Sequence, residues 1–213
     1  MSSVAGLYPN FAALAQHETA GVDFQIRMVR AHSTFVVVAP HGGGIEPGTS
    51  ELAHAIAGDT FSFYAFEGLK MSGNGGLHIT STRFDEPACA KLVAESNVVI
   101  AIHGERHDAD GALTFIGGLE ERLGLLIRSA LEAKGFGTGQ HPDPGLSGRG
   151  PDNLCNRGRS SRGVQLELSR GAREAMFESL SRTGRKQTTP RFDDFVAALS
   201  GVLQHEARRR SPA

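Results

Sequence analysis

The chain has 213 residues, 39% apolar and 21% charged, with 22 Lys and Arg against 23 Asp and Glu for a formal net charge of −1. This is the composition of an ordinary globular protein long enough to bury a core, and it gives no whole-molecule field of the kind that marks nucleic-acid or membrane binding. Two cysteines, Cys89 and Cys155, are too few for a disulfide framework, no apolar run reaches the ~18 residues of a membrane span, and Met1-Ser-Ser-Val-Ala-Gly6 lacks the basic start and apolar core of a signal peptide. The expectations are one domain over residues 1–213, a monomer, no nucleic-acid or membrane partner, and synthesis in the cytoplasm with release by lysis left open.

Tyr8 to Glu18 predicts a short helix, capped by Asn10 and carrying Phe11, Leu14 and Ala15 on one face. Phe24, Ile26 and Met28 alternate with polar residues, the pattern of a half-exposed strand. Ser33 to Ala39 is almost continuously β-branched or aromatic and reads as a buried strand. It stops at Pro40, and His41-Gly-Gly-Gly-Ile-Glu46-Pro-Gly48 precedes a helix over Ser50 to Ala57, with Thr49 or Ser50 as its N-cap. Phe61 to Phe66 is another strand. Met71 to Gly76 is a glycine-rich connection, and Leu77 to Thr82 alternates as a strand does. Pro87 to Ser96 is helical, with proline at its first position. Asn97 to Ile102 is a second fully buried strand, and it ends in His103-Gly-Glu105. Leu113 to Ile116 is a short strand, and Leu119 to Lys134 is an amphipathic helix stopped by Gly135.

The span 135–162 is rich in Gly, Pro and Arg and is expected to be an irregular active-site loop. Gly163 to Leu168 returns to strand alternation. Ala172 to Arg182 is a helix, Thr183 to Arg191 a basic connection, and Phe192 to Arg209 a final helix before a frayed tail, Arg208-Arg-Arg-Ser-Pro212. Strands alternating with helices predict an α/β fold built on a mixed, mostly parallel central sheet flanked by helices.

The loop after Ala39 carries the chemistry. Open α/β sheets hold their sites just beyond the carboxyl ends of strands. His41 and Glu46 are both metal-ligating types, and three glycines let the backbone fold so that both can face one point. The same loop also reads as a phosphate cradle, an oxyanion loop or a plain turn. The first lacks a Gly-Lys-Ser/Thr sequence, and the second lacks a Gly-x-Ser-x-Gly elbow elsewhere in the chain. His103 stands at the end of the other buried strand as His41 does at the first. If those strands are parallel neighbours, His41, Glu46 and His103 form the His/Glu/His set of hydrolytic zinc sites with a position open for water. Glu167 lies between Leu166 and Leu168, on the strand face shared with Gln165 and Ser169. It is either a solvent-facing acid or a general base for that water.

Several stretches resemble the bacteriophage-type poly-γ-glutamate hydrolases: His41-Gly-Gly-Gly-Ile-Glu46, Phe61-Ser-Phe-Tyr-Ala-Phe-Glu67-Gly, Leu77-His-Ile-Thr-Ser-Thr-Arg83-Phe-Asp-Glu-Pro, Ile102-His103-Gly and Gly163-Val-Gln-Leu-Glu167. The similarity runs from Tyr8-Pro-Asn-Phe11 to the last helix. That family is similar in fold to zinc carboxypeptidases. The resemblance implies an endo-hydrolase of γ-linked polyglutamate, an anionic capsule polymer, with one Zn²⁺ held by His41, Glu46 and His103 and with Glu167 as general base. Two departures matter. Carboxypeptidases space their first ligands as His-x-x-Glu, whereas four residues separate His41 from Glu46. Their carboxylate-binding Asn-Arg pair precedes the last ligand, whereas Asn156-Arg157 follows it, so exopeptidase chemistry does not carry over.

Arg83 is the first choice for stabilising the oxyanion, and His78, Asn156 and Arg157 are candidates for touching substrate. Ten Lys or Arg against four Asp or Glu between Arg149 and Arg191 could supply forks for the substrate's carboxylates. His17, His32, His54, His107, His141 and His205 are expected at the surface. Two other functions remain open at this stage. One is a zinc amidohydrolase or deacylase for small acyl-amino acids. The other is a non-catalytic polyanion-binding module.

Overall fold

The computed structural model describes residues 6–105 and 111–210. His107, the first five residues and the end of the tail lie outside them. Seven strands form one sheet: β1 (Phe24–Val29), β2 (Phe35–Gly43), β3 (Ser62–Gly68), β4 (Val98–Gly104), β5 (Leu113–Gly118), β6 (Gly137–Gly139) and β7 (Val164–Leu168). Their order across the sheet is β1-β3-β2-β4-β7-β5-β6. The central four, β3, β2, β4 and β7, run parallel, and β1 and β5 pair antiparallel at either side. The helices are α1 (Phe11–Leu14), α2 (Thr49–Ala57), α3 (Pro87–Glu95), α4 (Glu121–Ala133), α5 (Arg170–Glu174) and α6 (Pro190–Arg210). The fold is α/β with a mixed, mostly parallel sheet, as the alternation of elements requires.

β2, β3 and β4 are apolar on both faces along most of their length because both faces are covered. One face packs against α2, α4 and α6 through Val37, Phe63, Ile100, Leu166, Leu123, Phe195 and their neighbours. The other face, with Val38, Tyr64, Val99 and Ala101, is covered by α3 and by Leu77, Ile79, Phe84 and Leu154. From β2 the chain passes through α2 to β3 on one side. After β3 it passes through α3 to β4 on the other side of β2. The two crossover helices lie on opposite faces, so the gap between the carboxyl ends of β2 and β4 is the topological switch point of the sheet, where α/β folds open a crevice.

Several boundaries differ from the sequence expectation. Leu77–Thr82 is not a strand. A 3-10 turn, Asn74–Leu77, leads into an extended segment without a ladder partner. Its alternation is real, with Leu77 and Ile79 buried and His78 and Thr80 half-buried, but its carbonyls serve side chains. Ile79 O meets the His41 ring, and Ser81 O accepts from Arg157. The expected helix over Ala172 to Arg182 shrinks to α5, with Ser169 as cap. Gly48, at φ 99°, caps α2 in place of Thr49 or Ser50. The Ser50 hydroxyl instead accepts from the Gly43 N–H at 3.0 Å and braces the loop.

Candidate active site

The site begins with a register break. β2 and β3 pair residue for residue as far as Ala39↔Ala65, then resume at Gly42↔Glu67, so β2 spends one extra residue around Pro40 and His41. Such a bulge accommodates a proline that cannot donate to a ladder, and it re-aims the side chain beside it. The β2–β4 ladder ends at Val38↔Ala101, while β4 continues alongside β7 to Gly104↔Leu168. His41 and His103 are carried into the opening between the two strands. Both are almost fully buried, at 2% exposure.

Hydrogen bonds fix how the rings present themselves. The His41 Nε2–H donates to the Ile79 carbonyl at 2.7 Å. A carbonyl only accepts, so a neutral His41 must turn an Nδ1 lone pair inward. That Nδ1 lies 3.0 Å from Glu46 Oε1 and 3.2 Å from His103 Nδ1. His103 Nε2 contacts the Ser81 hydroxyl at 3.3 Å, and its Nδ1 stands 3.7 Å from Glu46 Oε2. The Gly104 N–H donates to that same Oε2 at 2.9 Å and fixes the carboxylate. His41 Nδ1, His103 Nδ1 and the Glu46 carboxylate therefore face one another in a buried space, an arrangement that needs a proton or a metal cation among them. Ligand atoms ~2.0–2.1 Å from a tetrahedral zinc stand ~3.3–3.4 Å apart, close to the observed spacings, so the residues present fit zinc.

His78 joins this group. Its ring lies over His41 with centroids 3.9 Å apart, and its Nε2 is 3.6 Å from Glu46 Oε1. His41, Glu46 and His78 each offer a ligand atom within 4.8 Å of the others. His78 is the more open residue, with its side chain 21% exposed against 3% for His103.

Glu167 does not face solvent. The polar face of β7 is buried, and Glu167 is 6% exposed. It is the cross-strand partner of His103, and partners in a parallel ladder point to the same face. Gln165 donates from Nε2 to Glu167 Oε1 at 2.9 Å and accepts from Asn153 Nδ2 at 2.8 Å. Burial pushes the Glu167 carboxyl well above the ordinary carboxylate range, helped by the charges of Glu46 and Glu105 and opposed by Arg173. Glu46 goes the other way. Burial pushes it up, but with no metal bound a protonated His41 and hydrogen bonds from His103, His41 and His78 outweigh that and hold it well below the usual carboxylate range. Two buried carboxyls with separated proton affinities are suited to separate tasks.

The remaining candidates lie elsewhere. Asn156 donates to the carbonyls of Gly148 and Gly150 and accepts from the N–H groups of Leu119 and Gly163. Arg157 donates to the carbonyls of Asp152, Phe84 and Ser81. These bonds occupy both amide hydrogens and the oxygen of Asn156, and three of the five guanidinium donors of Arg157. Both residues hold the segments that cover the polar face of β7. Arg83 is exposed on the Thr80–Phe84 turn, next to the residues that anchor both histidines.

Three of the ten basic residues from Arg149 to Arg191 are paired with acids. Arg149 pairs with Glu121, Arg170 with Glu174 and Arg185 with Glu51, while Arg182 and Arg191 bond carbonyls. Arg159, exposed, bonds through its backbone to Ser96 at the amino end of β4, opposite the site.

Two features gave no usable sequence signal. His141 is not at the surface as expected. Its side chain is 4% exposed and lies 2.9 Å from Glu105. Arg173 is 4% exposed and, with Glu46 and Gly104, lines a cleft of about 890 Å³. Ten of the 43 residues from Arg149 to Arg191 are basic, so nothing in the sequence distinguishes an arginine that turns inward.

Comparison with known proteins adds to this geometry. The poly-gamma-glutamate hydrolase family profile matches residues 8–198. The UPF0714 protein YmaC of Bacillus subtilis is 38% identical over 202 residues, covering 93% of this chain and 84% of YmaC. A solved bacteriophage poly-gamma-glutamate hydrolase superimposes with a TM-score of 0.92 at 36% identity, covering 97% of this chain and all of the other. The zinc-free apo structure of YndL superimposes with a TM-score of 0.88 at 32% identity, covering 94% and 98%. Among the described residues, no helix is long and apolar enough to cross a membrane.

Proposed function

We propose that this chain, which belongs to the poly-gamma-glutamate hydrolase family, is a zinc-dependent endo-hydrolase of γ-linked polyglutamate, with His41, Glu46 and His103 as the metal ligands. The observation that carries the reading is the inward convergence of His41 Nδ1, His103 Nδ1 and the Glu46 carboxylate at 3.0–3.7 Å, each held from behind by a separate hydrogen bond. Zinc held there supplies a Lewis acid that polarises the scissile carbonyl and acidifies a water.

The protein groups divide the remaining work. Glu167 takes a proton from the attacking water as the new carbon–oxygen bond forms. It returns that proton to the amide nitrogen as the carbon–nitrogen bond breaks, leaving a γ-carboxylate and a free α-amine. Its raised proton affinity suits both transfers. Gln165 engages one oxygen of that carboxylate and leaves the other available. His78 backs Glu46 and His41 at the open side of the cluster. Arg83, exposed two residues after Ser81, is assigned to the polymer's α-carboxylates or the developing oxyanion.

The test is a paired assay on γ-linked polyglutamate that follows viscosity and newly formed amino groups together. Internal cleavage predicts that viscosity collapses while few ends have appeared, and that chelator dialysis stops both changes until zinc is restored. Full turnover by metal-free protein would sink the zinc reading. Release of ends without viscosity loss would sink the endo reading.

A further inference from the structure

The proposed site is borne on three separate segments: the loop after β2 carries Glu46, the end of β4 carries His103, and β7 carries Glu167. One buried side chain touches all three. Arg173 donates from Nη1 to Pro47 O at 2.9 Å, from Nη2 to Glu105 O at 2.6 Å and from Nε to Leu168 O at 3.3 Å. Pro47 directly follows Glu46, Leu168 directly follows Glu167, and Glu105 lies two residues beyond His103. The guanidinium also lies flat against Gly104, whose N–H holds Glu46. A Cβ added at Gly104 would stand 2.7 Å from the Arg173 Cζ.

We infer that Arg173 is a positioning residue for the zinc site, a three-way clamp that sets the spacing of the ligand loop, the His103 strand end and the Glu167 strand end. The planar fork is what makes this possible. One guanidinium reaches three carbonyls in fixed directions, whereas a lysine ammonium is a single mobile point donor. Gly104 is part of the device, since only a residue without a side chain admits the guanidinium between the strand end and the cleft. The inference rests on the metal reading proposed above, and its test separates the two.

Zinc affinity is measured by calorimetric titration of the metal-free full chain for wild type, Arg173→Lys, Arg173→Met and Gly104→Ala, alongside kcat and KM on the polymer. Residues that hold metal ligands from behind typically account for ~10–100-fold in metal affinity or activity. Arg173→Met is expected to weaken zinc binding by that factor and to lower kcat more than KM, with Arg173→Lys recovering part of both. Gly104→Ala keeps the arginine but displaces its tip, and is expected to weaken zinc binding in the same direction. A purely structural arginine would change the folded fraction and leave zinc affinity per folded molecule intact. Folded Arg173→Met with wild-type zinc affinity overturns the inference. Should that variant fail to fold, wild-type affinity in folded Gly104→Ala overturns it equally. A wild-type chain that takes up no zinc refutes the metal reading itself, whatever the variants do.

Discussion

Glu167→Gln should lose activity and gain stability. The substitution is nearly isosteric, and the glutamine carbonyl can still accept from Gln165 Nε2, which sits 2.9 Å from Glu167 Oε1. What disappears is a buried negative charge and its capacity to carry a proton. Removing a general base lowers turnover by ~10²–10⁴-fold. The stability effect follows from linkage. The Glu167 proton affinity is raised in the folded chain, first by burial and then by Glu46 and Glu105, above its unfolded value of 4.5. The folded state therefore binds the proton more tightly than the unfolded state between those two values, and stability falls as pH rises through that window. Every pH unit separating them is worth about 1.4 kcal/mol, and 1 kcal/mol moves the Tm of a chain this size by ~2–4 °C. Glutamine has no such dependence. In chelator-dialysed protein, calorimetry should find the two forms equally stable below pH 4.5 and the variant progressively more stable above it. A variant that keeps wild-type turnover, or that melts below wild type at pH 7–8, would refute this account of Glu167.

Arg83→Ala should raise KM for the polymer several-fold while leaving zinc binding unchanged, because its side chain is exposed and it is not one of the proposed ligands; equilibrium zinc titration and polymer kinetics check both halves. Arg157→Ala should act on stability. It abolishes charge-assisted bonds to three carbonyls, each worth ~1.5–3 kcal/mol at most, and a melting curve with unchanged Tm would contradict the scaffold role. Glu206 is fully buried and held down to about 2, chiefly by hydrogen bonding to Arg122, against burial and with help from Arg209. Its contribution is present above the unfolded value of 4.5 and is lost as pH falls through about 2. Acid titrations of wild type and Glu206→Gln should therefore converge across that range, and a constant offset down to pH 2 would be the wrong outcome.

The sheet was legible because β2, β3 and β4 are mostly apolar on both faces and β7 alternates. Ser33–Ala39 and Asn97–Ile102 overlap β2 and β4, which start at Phe35 and Val98 and run on through the histidines to Gly43 and Gly104. The sequence could not distinguish alternation imposed by a ladder from alternation imposed by packing alone, so Leu77–Thr82 was expected to be a strand. Leu77 and Ile79 do face the core, but the backbone between and after them serves His41 and Arg157. Side-chain direction in irregular chain was likewise hidden. Nothing in the sequence of Asn156 and Arg157 announces that both bond to the backbone of their own and neighbouring segments. His141 and Arg173 turn inward for reasons that exist only once distant segments are assembled. The acids that pair with Arg149 and Arg185, Glu121 and Glu51, lie far away in sequence, so these pairings too were hidden.

The most direct test of the metal site is an anomalous-scattering measurement at the zinc edge on crystals of the zinc-loaded chain. The account predicts one strong peak bonded to Nδ1 of His41, Nδ1 of His103 and the Glu46 carboxylate. A peak held by other residues, or none at these three under saturating zinc, would contradict it.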